Sequence, residues 1–568
     1  MIGRTCYLER IVKIFIGAAL FLCFFRVSFA QSPVLKILSE ELERNFRILK
    51  EKADPPPYFI SYEITEDEFH SIGATLGAIS VNSGGRTRHL DVSLRTGSPK
   101  LDNYHRVRGE RAQFTSGAQV SVDDNPAAIK QYVWLETDRA YRAAAERLIK
   151  IRSNEQVKVA AEDTSDDFSI EPPSTHGETP PPLRLDVERW TERLRKLSII
   201  FQNFPEILIS NVSLATQRDV KYIVNSEGTR VEHGRNFVRL AISAESRAAD
   251  GMNLGTATSF DAMDPSGLPA DDVLQAAAER VAKDVTGLLH APVAEPFLGP
   301  AIFSGRAAGV FFHEIFGHRI EGHRQKDESE GQTFTKSLGT SVLPDFLSVA
   351  FDPTLRKWQN VDLNGWYMYD DEGETGQRVD AVDHGILKAF LMSRSPIKGF
   401  DHSNGHGRRQ PGLEVVSRQS NLVVESTKTV PESRLREMLL EEVKRQNKPY
   451  GLYFREVTGG FTTTARAGMQ AFKVLPVVVY RVYADGRPDE LIRGADIVGT
   501  PLSSFAKILA TSDRPEVFNG YCGAESGTVP VSAIAPAILV SEIEIEKKEK
   551  SQDKPPLLPF PKDAEAGQ

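Results

Sequence analysis

The chain alternates between stretches of two kinds of periodicity. Leu35 to Lys52 places apolar residues at helical spacing, so an amphipathic helix is expected there. Tyr58 to Thr96 reads as short strands, with Ser83-Gly84-Gly85 as a turn between two of them. Asn125-Pro126 is a cap followed by a favoured first residue, and opens a long helix to about Ser153. Val159 to Pro182 is rich in Glu, Asp, Ser, Thr and Pro without apolar periodicity, and reads as an exposed loop. Helices follow over Leu185–Gln202 and Pro269–Leu289, flanking a hairpin from Val220 to Ser243 around Asn225-Ser226-Glu227-Gly228.

The second half changes character. Ala301 to His318 is apolar and runs into a cluster of His and Glu. Short β-rich runs follow at Gly385–Met392, Val474–Tyr483 and Val529–Ile545, interrupted by one helix over Val430–Gln446. Pro292, Pro296 and Pro300 mark the best boundary. The fold class expected is α+β in two domains: a mixed N-terminal domain over 31–295 and a β-rich C-terminal domain over 296–546 that carries the chemistry. Residues 547–568 form a charged, Pro-rich tail expected to be disordered.

Residues 1–30 have their own pattern. Arg4, Arg10 and Lys13 precede an apolar run from Ile14 to Phe25, and Val27-Ser28-Phe29-Ala30 offers small residues at a cleavage point. That is a secretory signal, and its apolar run is short of the roughly 20 residues a membrane span needs. An uncleaved anchor is the alternative. An exported, periplasmic or extracellular protein without a stable span after signal removal is expected. The leader carries a net +3, so the remainder falls from the whole chain's −8 to about −11. With no basic stripe, a nucleic-acid partner is not expected. The leader also takes Cys6 and Cys23, leaving Cys522 alone and unable to form an internal disulfide.

The candidate chemistry sits in His313-Glu314-Ile315-Phe316-Gly317-His318, an H-E-x-x-x-H pattern. The zinc-protease pattern H-E-x-x-H is one residue shorter and puts both imidazoles on one helix face. On a regular helix an i, i+5 pair stands about 140° apart. Two such histidines meet one metal only if the helix is broken, by a π-bulge or a kink, and Gly317 is placed to permit it. Neutral imidazoles suit zinc, and a glutamate beside the first could take a proton from an activated water. Further candidates are Glu321 and His323, as ligands or as groups orienting one, and Cys522, between glycines at Asn519-Gly520-Tyr521-Cys522-Gly523. Cys522 could equally be a small buried apolar residue. Asp370-Asp371-Glu372-Gly373 could bind a cation but reads as a solvated turn, Asp496 as structural, and His402 and His406 as part of a mobile loop near the site rather than a second metal site.

These pieces together resemble the TldD/PmbA family of metallopeptidases. The matching segments are Asn225-Ser226-Glu227-Gly228, Ser304-Gly305-Arg306-Ala307-Ala308 leading into His313-Glu314 and Gly317-His318 with Glu321-Gly322, Asp370-Asp371-Glu372-Gly373, Gly451-Leu452-Tyr453, Arg493-Gly494-Ala495-Asp496, and Tyr521-Cys522-Gly523 with Val529-Pro530-Val531. The resemblance implies a zinc peptidase of unfolded or short peptides, with one Zn2+ per chain held by His313, His318 and Cys522 and with Glu314 as catalytic base. It also implies a two-fold dimer, with itself or with a PmbA-type subunit lacking the metal motif. Because the motif is intact, this chain is similar to the catalytic type. A non-catalytic PmbA-like binding subunit and a zinc hydrolase of non-peptide amides are the competing readings. The chain departs from the family in its export signal, in the insert at 159–182, in the Arg-rich segment 405–420, and in Ala524-Glu525-Ser526-Gly527, where many members carry Lys and Gln.

Overall fold

The computed structural model describes residues 32–107, 110–155, 163–466, 472–499, 504–548, 554–556 and 558. The leader, part of the acidic insert and most of the tail lie outside the described residues. Among the described residues no helix is long and apolar enough to cross a membrane.

The first half is built on a strongly extended antiparallel sheet. Its main strands are β1 (Pro57–Thr75), β2 (Ala78–Ser98), β3 (Ile209–Asn225), β4 (Arg230–Arg247) and β5 (Asn253–Ala262), in the order β2-β1-β3-β4-β5. Ser83-Gly84-Gly85 is not a turn: β2 runs straight through it, paired with Ser71, His70 and Phe69 of β1. The turn lies at Leu76-Gly77, where Gly77 adopts φ +82°, a conformation glycine takes without strain.

Helices cover one face of this sheet. α1 (Pro33–Lys52) starts at Ser32, whose hydroxyl accepts from the Leu35 amide. α2 (Pro126–Glu155) starts at Asn125, whose Oδ1 accepts from the amides of Ala127 and Ala128 at 3.0 and 3.2 Å. Both caps satisfy amides that a helix leaves open at its first turn. α1 and α2 pack on Ile60, Tyr62, Ile64, Leu90 and Val92. α3 (Val187–Ser198) and α4 (Asp271–His290) cover the other end, on Ile72, Val212, Leu214 and Leu240. The insert is less exposed than its composition suggests. Phe168 is 3% exposed, its ring 4.8 Å from that of Phe59 and flanked by the guanidinia of Arg95 and Arg394.

The second half contains a closed ring of strands. β6 (Phe297–Phe303), β7 (Gly451–Thr462), β8 (Phe472–Val482), β9 (Ala495–Gly499) and β11 (Gly527–Lys547) pair in sequence, and β11 pairs back onto β6. Closure leaves no free edge among these five pairings. β10 (Ile508–Ala524) pairs with β11 as a long hairpin that reaches beyond the ring. The run 385–392 supplies only a two-residue strand, Ile386–Leu387. The helix over 430–446 forms as Glu432–Arg445 and closes one side on Ile302, Val482 and Leu539.

Several polar segments are buried rather than solvated. Asp370 accepts from the amides of Glu372, Glu374 and Gly407, so the Asp-Asp-Glu-Gly turn is an internal staple. His406 is fully buried and within 3.2 Å of the Ser420 hydroxyl, part of the packed interior rather than a mobile loop.

Candidate metal centre

A buried helix, here called αM (Gly305–Ile315), delivers the first candidates. Ser304 caps it, accepting from the Ala307 amide at 3.2 Å and donating to the Arg455 carbonyl at 2.9 Å. Phe303, Phe311, Phe312 and Phe316 fix its inner face in an aromatic core with Phe454, Phe472 and Phe505. His313 and Glu314 therefore emerge at fixed positions near its end.

The helix stops at Ile315. Phe316 takes φ −106° and ψ −54°, and Gly317–Arg319 continue as a single 3-10 turn. The tighter turn carries His318 back toward His313, with ring centroids 5.0 Å apart. The break the spacing requires is thus a helix end followed by a turn, not a π-bulge. Arg319 stabilises it by donating Nη1 to the carbonyls of Glu314 and Ile315, at 2.9 and 3.1 Å. Gly317 is needed for room rather than for φ. A β-carbon there would lie 2.0 Å from Gln419 Oε1, and Gln419 Nε2 donates to the His313 carbonyl at 3.3 Å.

Cys522 arrives from the far end of the β10–β11 hairpin. Its Sγ stands 3.2 Å from His313 Nε2 and 3.3 Å from His318 Nε2. One donor atom from each of His313, His318 and Cys522 lies within 4.8 Å of the others, and all three residues are buried. Arg418, wholly buried, pins the hairpin by donating to the Cys522 carbonyl at 2.6 Å, the Ser526 hydroxyl at 2.8 Å and the Gly527 carbonyl at 2.9 Å.

The surrounding charges favour a thiolate. Burial alone would raise the Cys522 thiol, but His318 and His313 outweigh it and hold its pKa well below the ordinary value. Burial pushes His318 toward neutrality, yet Cys522 and Glu321 raise it. Burial raises the Glu314 carboxyl, with His313 and His318 partly opposing. Two imidazole nitrogens and a polarised sulfur are a donor set that fits zinc.

Glu321 and His323 do not join the three donors. Glu321 Oε2 stands 3.3 Å from His318 Nδ1 and accepts from Arg324 at 2.8 Å. It orients His318 through the ring nitrogen that faces away from Cys522. His323 Nε2 is taken by Glu525, which also accepts from Arg324 at 2.7 Å. Arg418, Gln419 and Arg324 were not picked out by sequence reading. Each is a buried polar group among polar residues, and no local spacing ties it to His313 or Cys522.

The donors open on a cleft of about 810 Å³. Its walls are Ala257–Ser259 of β5, Val457–Thr462 of β7 and Phe518–Cys522 of β10. Phe461 and Tyr521, 54% and 46% exposed, present apolar surface to it. Glu314 lies in the same cleft, with Gly460 against its side chain, where a β-carbon would come within 2.6 Å of Glu314 Cγ.

Residues 298–547 match the PmbA/TldA metallopeptidase C-terminal domain, and residues 180–289 match the central domain of the same family. The chain belongs to the TldD/PmbA family of metallopeptidases. Family relatives include a metalloprotease of Methanocaldococcus jannaschii, 29% identical over 231 residues, 40% of this chain and 47% of that protein. A protein named zinc metalloprotease TldD homolog, from Saccharolobus solfataricus, is 26% identical over 249 residues, 43% of this chain and 51% of that one. The matched stretch thus spans about half the length of these two relatives. The family fold extends further: the crystal structure of TldE from Thermococcus kodakarensis superposes with a TM-score of 0.61, covering 90% of this chain and 100% of that one. At 14% identity that likeness is one of fold.

Proposed function

We propose that this TldD/PmbA-family chain is an exported, zinc-dependent peptidase acting on unfolded or short peptides. His313, His318 and Cys522 are its metal ligands and Glu314 its general base. The observation that carries the reading is the convergence of His313 Nε2, His318 Nε2 and Cys522 Sγ inside a cleft that also holds Glu314. Zinc bound by such a set supplies a Lewis acid that lets water ionise near neutral pH. The chain's own residues supply the rest. Glu314 accepts the proton of the attacking water, its basicity raised by burial, and passes it to the leaving amine. Gly460 and the end of αM fix the carboxyl in the cleft. The open strand segments and apolar Phe461 and Tyr521 offer an extended peptide a surface without demanding one sequence.

Export rests on residues 1–30, and agrees with a chain whose one cysteine past the leader is sheltered at 4% exposure. The working form is a two-fold dimer, with itself or with a PmbA-type subunit. The deciding experiment combines metal analysis of the mature protein with cleavage of an unstructured peptide, with and without chelator. Zinc near one per chain and chelator-sensitive cleavage are expected. Cleavage that survives complete metal removal overturns the reading.

A further inference from the structure

Behind the hairpin that carries Cys522 lies a second cavity of about 380 Å³. The first sheet bounds it on one side, and residues 366–371 and 408–411 on the other. Tyr521 walls both this cavity and the cleft of the metal centre.

The charges around it are unevenly matched. Arg235 and Arg408 line the cavity and are 8% and 7% exposed. Their hydrogen bonds go to neutral oxygens. Arg235 Nη1 donates to the backbone and side-chain oxygens of Asn364 at 2.7 and 2.9 Å. Arg408 Nη1 donates to the carbonyls of Gln419 and Pro530, at 2.7 Å each. Arg235 Nη2 has no hydrogen-bond partner among the described residues. The nearby acids are committed elsewhere. Asp371 is held by Lys221 at 2.5 Å and by the Arg409 amide at 2.6 Å, and Asp370 by three amides. Asp219 faces Arg235 through Nε alone, at 3.5 Å, and burial, with Asp67 beside it, raises its carboxyl well above the ordinary value. Burial lowers the pKa of Arg408; Tyr367 and Asp371 partly oppose it, and Arg235 and Arg418 are repelling neighbours. Two buried guanidinia, Arg408 with no ion-pair carboxylate among the described residues and Arg235 with one only at Nε, are costly unless an anion joins them. Trp366 and Tyr369 add flat walls.

We propose that this cavity is a carboxylate pocket. It takes the terminal carboxylate of an amino acid or short peptide between Arg235 and Arg408, with the side chain against Trp366 and Tyr369. The choice of occupant rests on the peptidase reading, which generates such termini; the anion site does not.

The test uses the holo Glu314→Gln protein, so that binding is read without turnover. Tryptophan fluorescence is followed during titration with N-acetylphenylalanine, phenylalanine, glycylphenylalanine, N-acetylphenylalaninamide and inorganic phosphate. Saturable quenching by the acids is expected, with the amide about tenfold weaker or more. The signal should vanish in Trp366→Phe. Arg408→Gln should weaken the acids about tenfold and leave the amide unchanged; if that variant does not fold, Tyr369→Ala should weaken the phenyl acids and spare phosphate. Tighter binding of glycylphenylalanine identifies the peptide end as the source, and of phenylalanine the released amino acid. Equal binding of acid and amide, no saturable response, or a response to phosphate alone overturns the proposal. None of these outcomes depends on whether the protein cleaves peptides.

Discussion

Gly317 and Gln419 compete for one volume: a β-carbon on Gly317 would stand 2.0 Å from Gln419 Oε1. Gln419 in turn holds the backbone of His313. Gly317→Ala must displace Gln419 or the 3-10 turn, and either moves an imidazole. Zinc affinity is expected to fall about 10–100-fold, read by chelator competition. Gly523→Ala is the control, because among the described residues, its two chain neighbours aside, no atom lies within 4 Å of the β-carbon it would add. If both variants bind zinc like the parent, the close fit at Gly317 has no bearing on the site.

Glu314→Gln keeps the shape of the side chain and removes its basicity. Peptide cleavage should drop at least 10²–10⁴-fold while zinc content stays near that of the parent. Metal analysis and single-turnover kinetics on one preparation check both halves. Near-normal cleavage would assign the proton transfer to another group.

Cys522→Ser replaces the sulfur that lies within 3.3 Å of both imidazoles, and should strip most zinc at micromolar metal. His323→Ala should not, because His323 Nε2 is committed to Glu525. Its cost should instead appear as lower thermal stability, about 1–3 kcal/mol for a broken buried pair. Zinc loss from His323→Ala with retention in Cys522→Ser would reverse the ligand assignment.

Stability toward acid should depend on Glu63, which joins the two halves. Its carboxylate accepts from Lys221 at 3.0 Å and from Arg409 at 2.7 Å. Burial opposes the charge, but these two cations outweigh it and hold the pKa at about 2 against 4.5. A depressed carboxylate pKa gives stability that is complete above the unfolded value and disappears as pH falls through the folded one. The loss should therefore run from about pH 4.5 to about pH 2, and amount to roughly 3 kcal/mol. Thermal melts of the parent and Glu63→Gln across that range should differ most near neutrality and converge in acid. A constant gap would mean that Glu63 is not the titrating group.

The helices were legible because their signals are local: the apolar spacing from Leu35 to Lys52 for α1, and Asn125-Pro126 before α2. The same holds for the break after His313, since an i, i+5 pair cannot share a metal on a straight helix. Gly84 and Gly85 misled for a physical reason. They read as a turn, but face His70 and Phe69 across the β1–β2 ribbon, where β-carbons would lie 2.6 and 3.1 Å from those rings. Glycine serves there as space for a cross-strand neighbour, which is invisible without the register. Arg418 was hidden for a similar reason. It reaches a cysteine 104 positions away, and only the folded hairpin brings them together.

The distance along the chain between His313 and Cys522, 209 positions, sets an order of events in biogenesis. Cys522 sits at the tip of a hairpin whose second strand, β11, also closes the ring onto β6. A nascent or truncated chain ending before this hairpin has two imidazoles and no sulfur, together with an unclosed barrel. The same hairpin thus completes the donor set through β10 and the scaffold through β11. On the proposed reading, hydrolytic competence would then be acquired only by finished molecules.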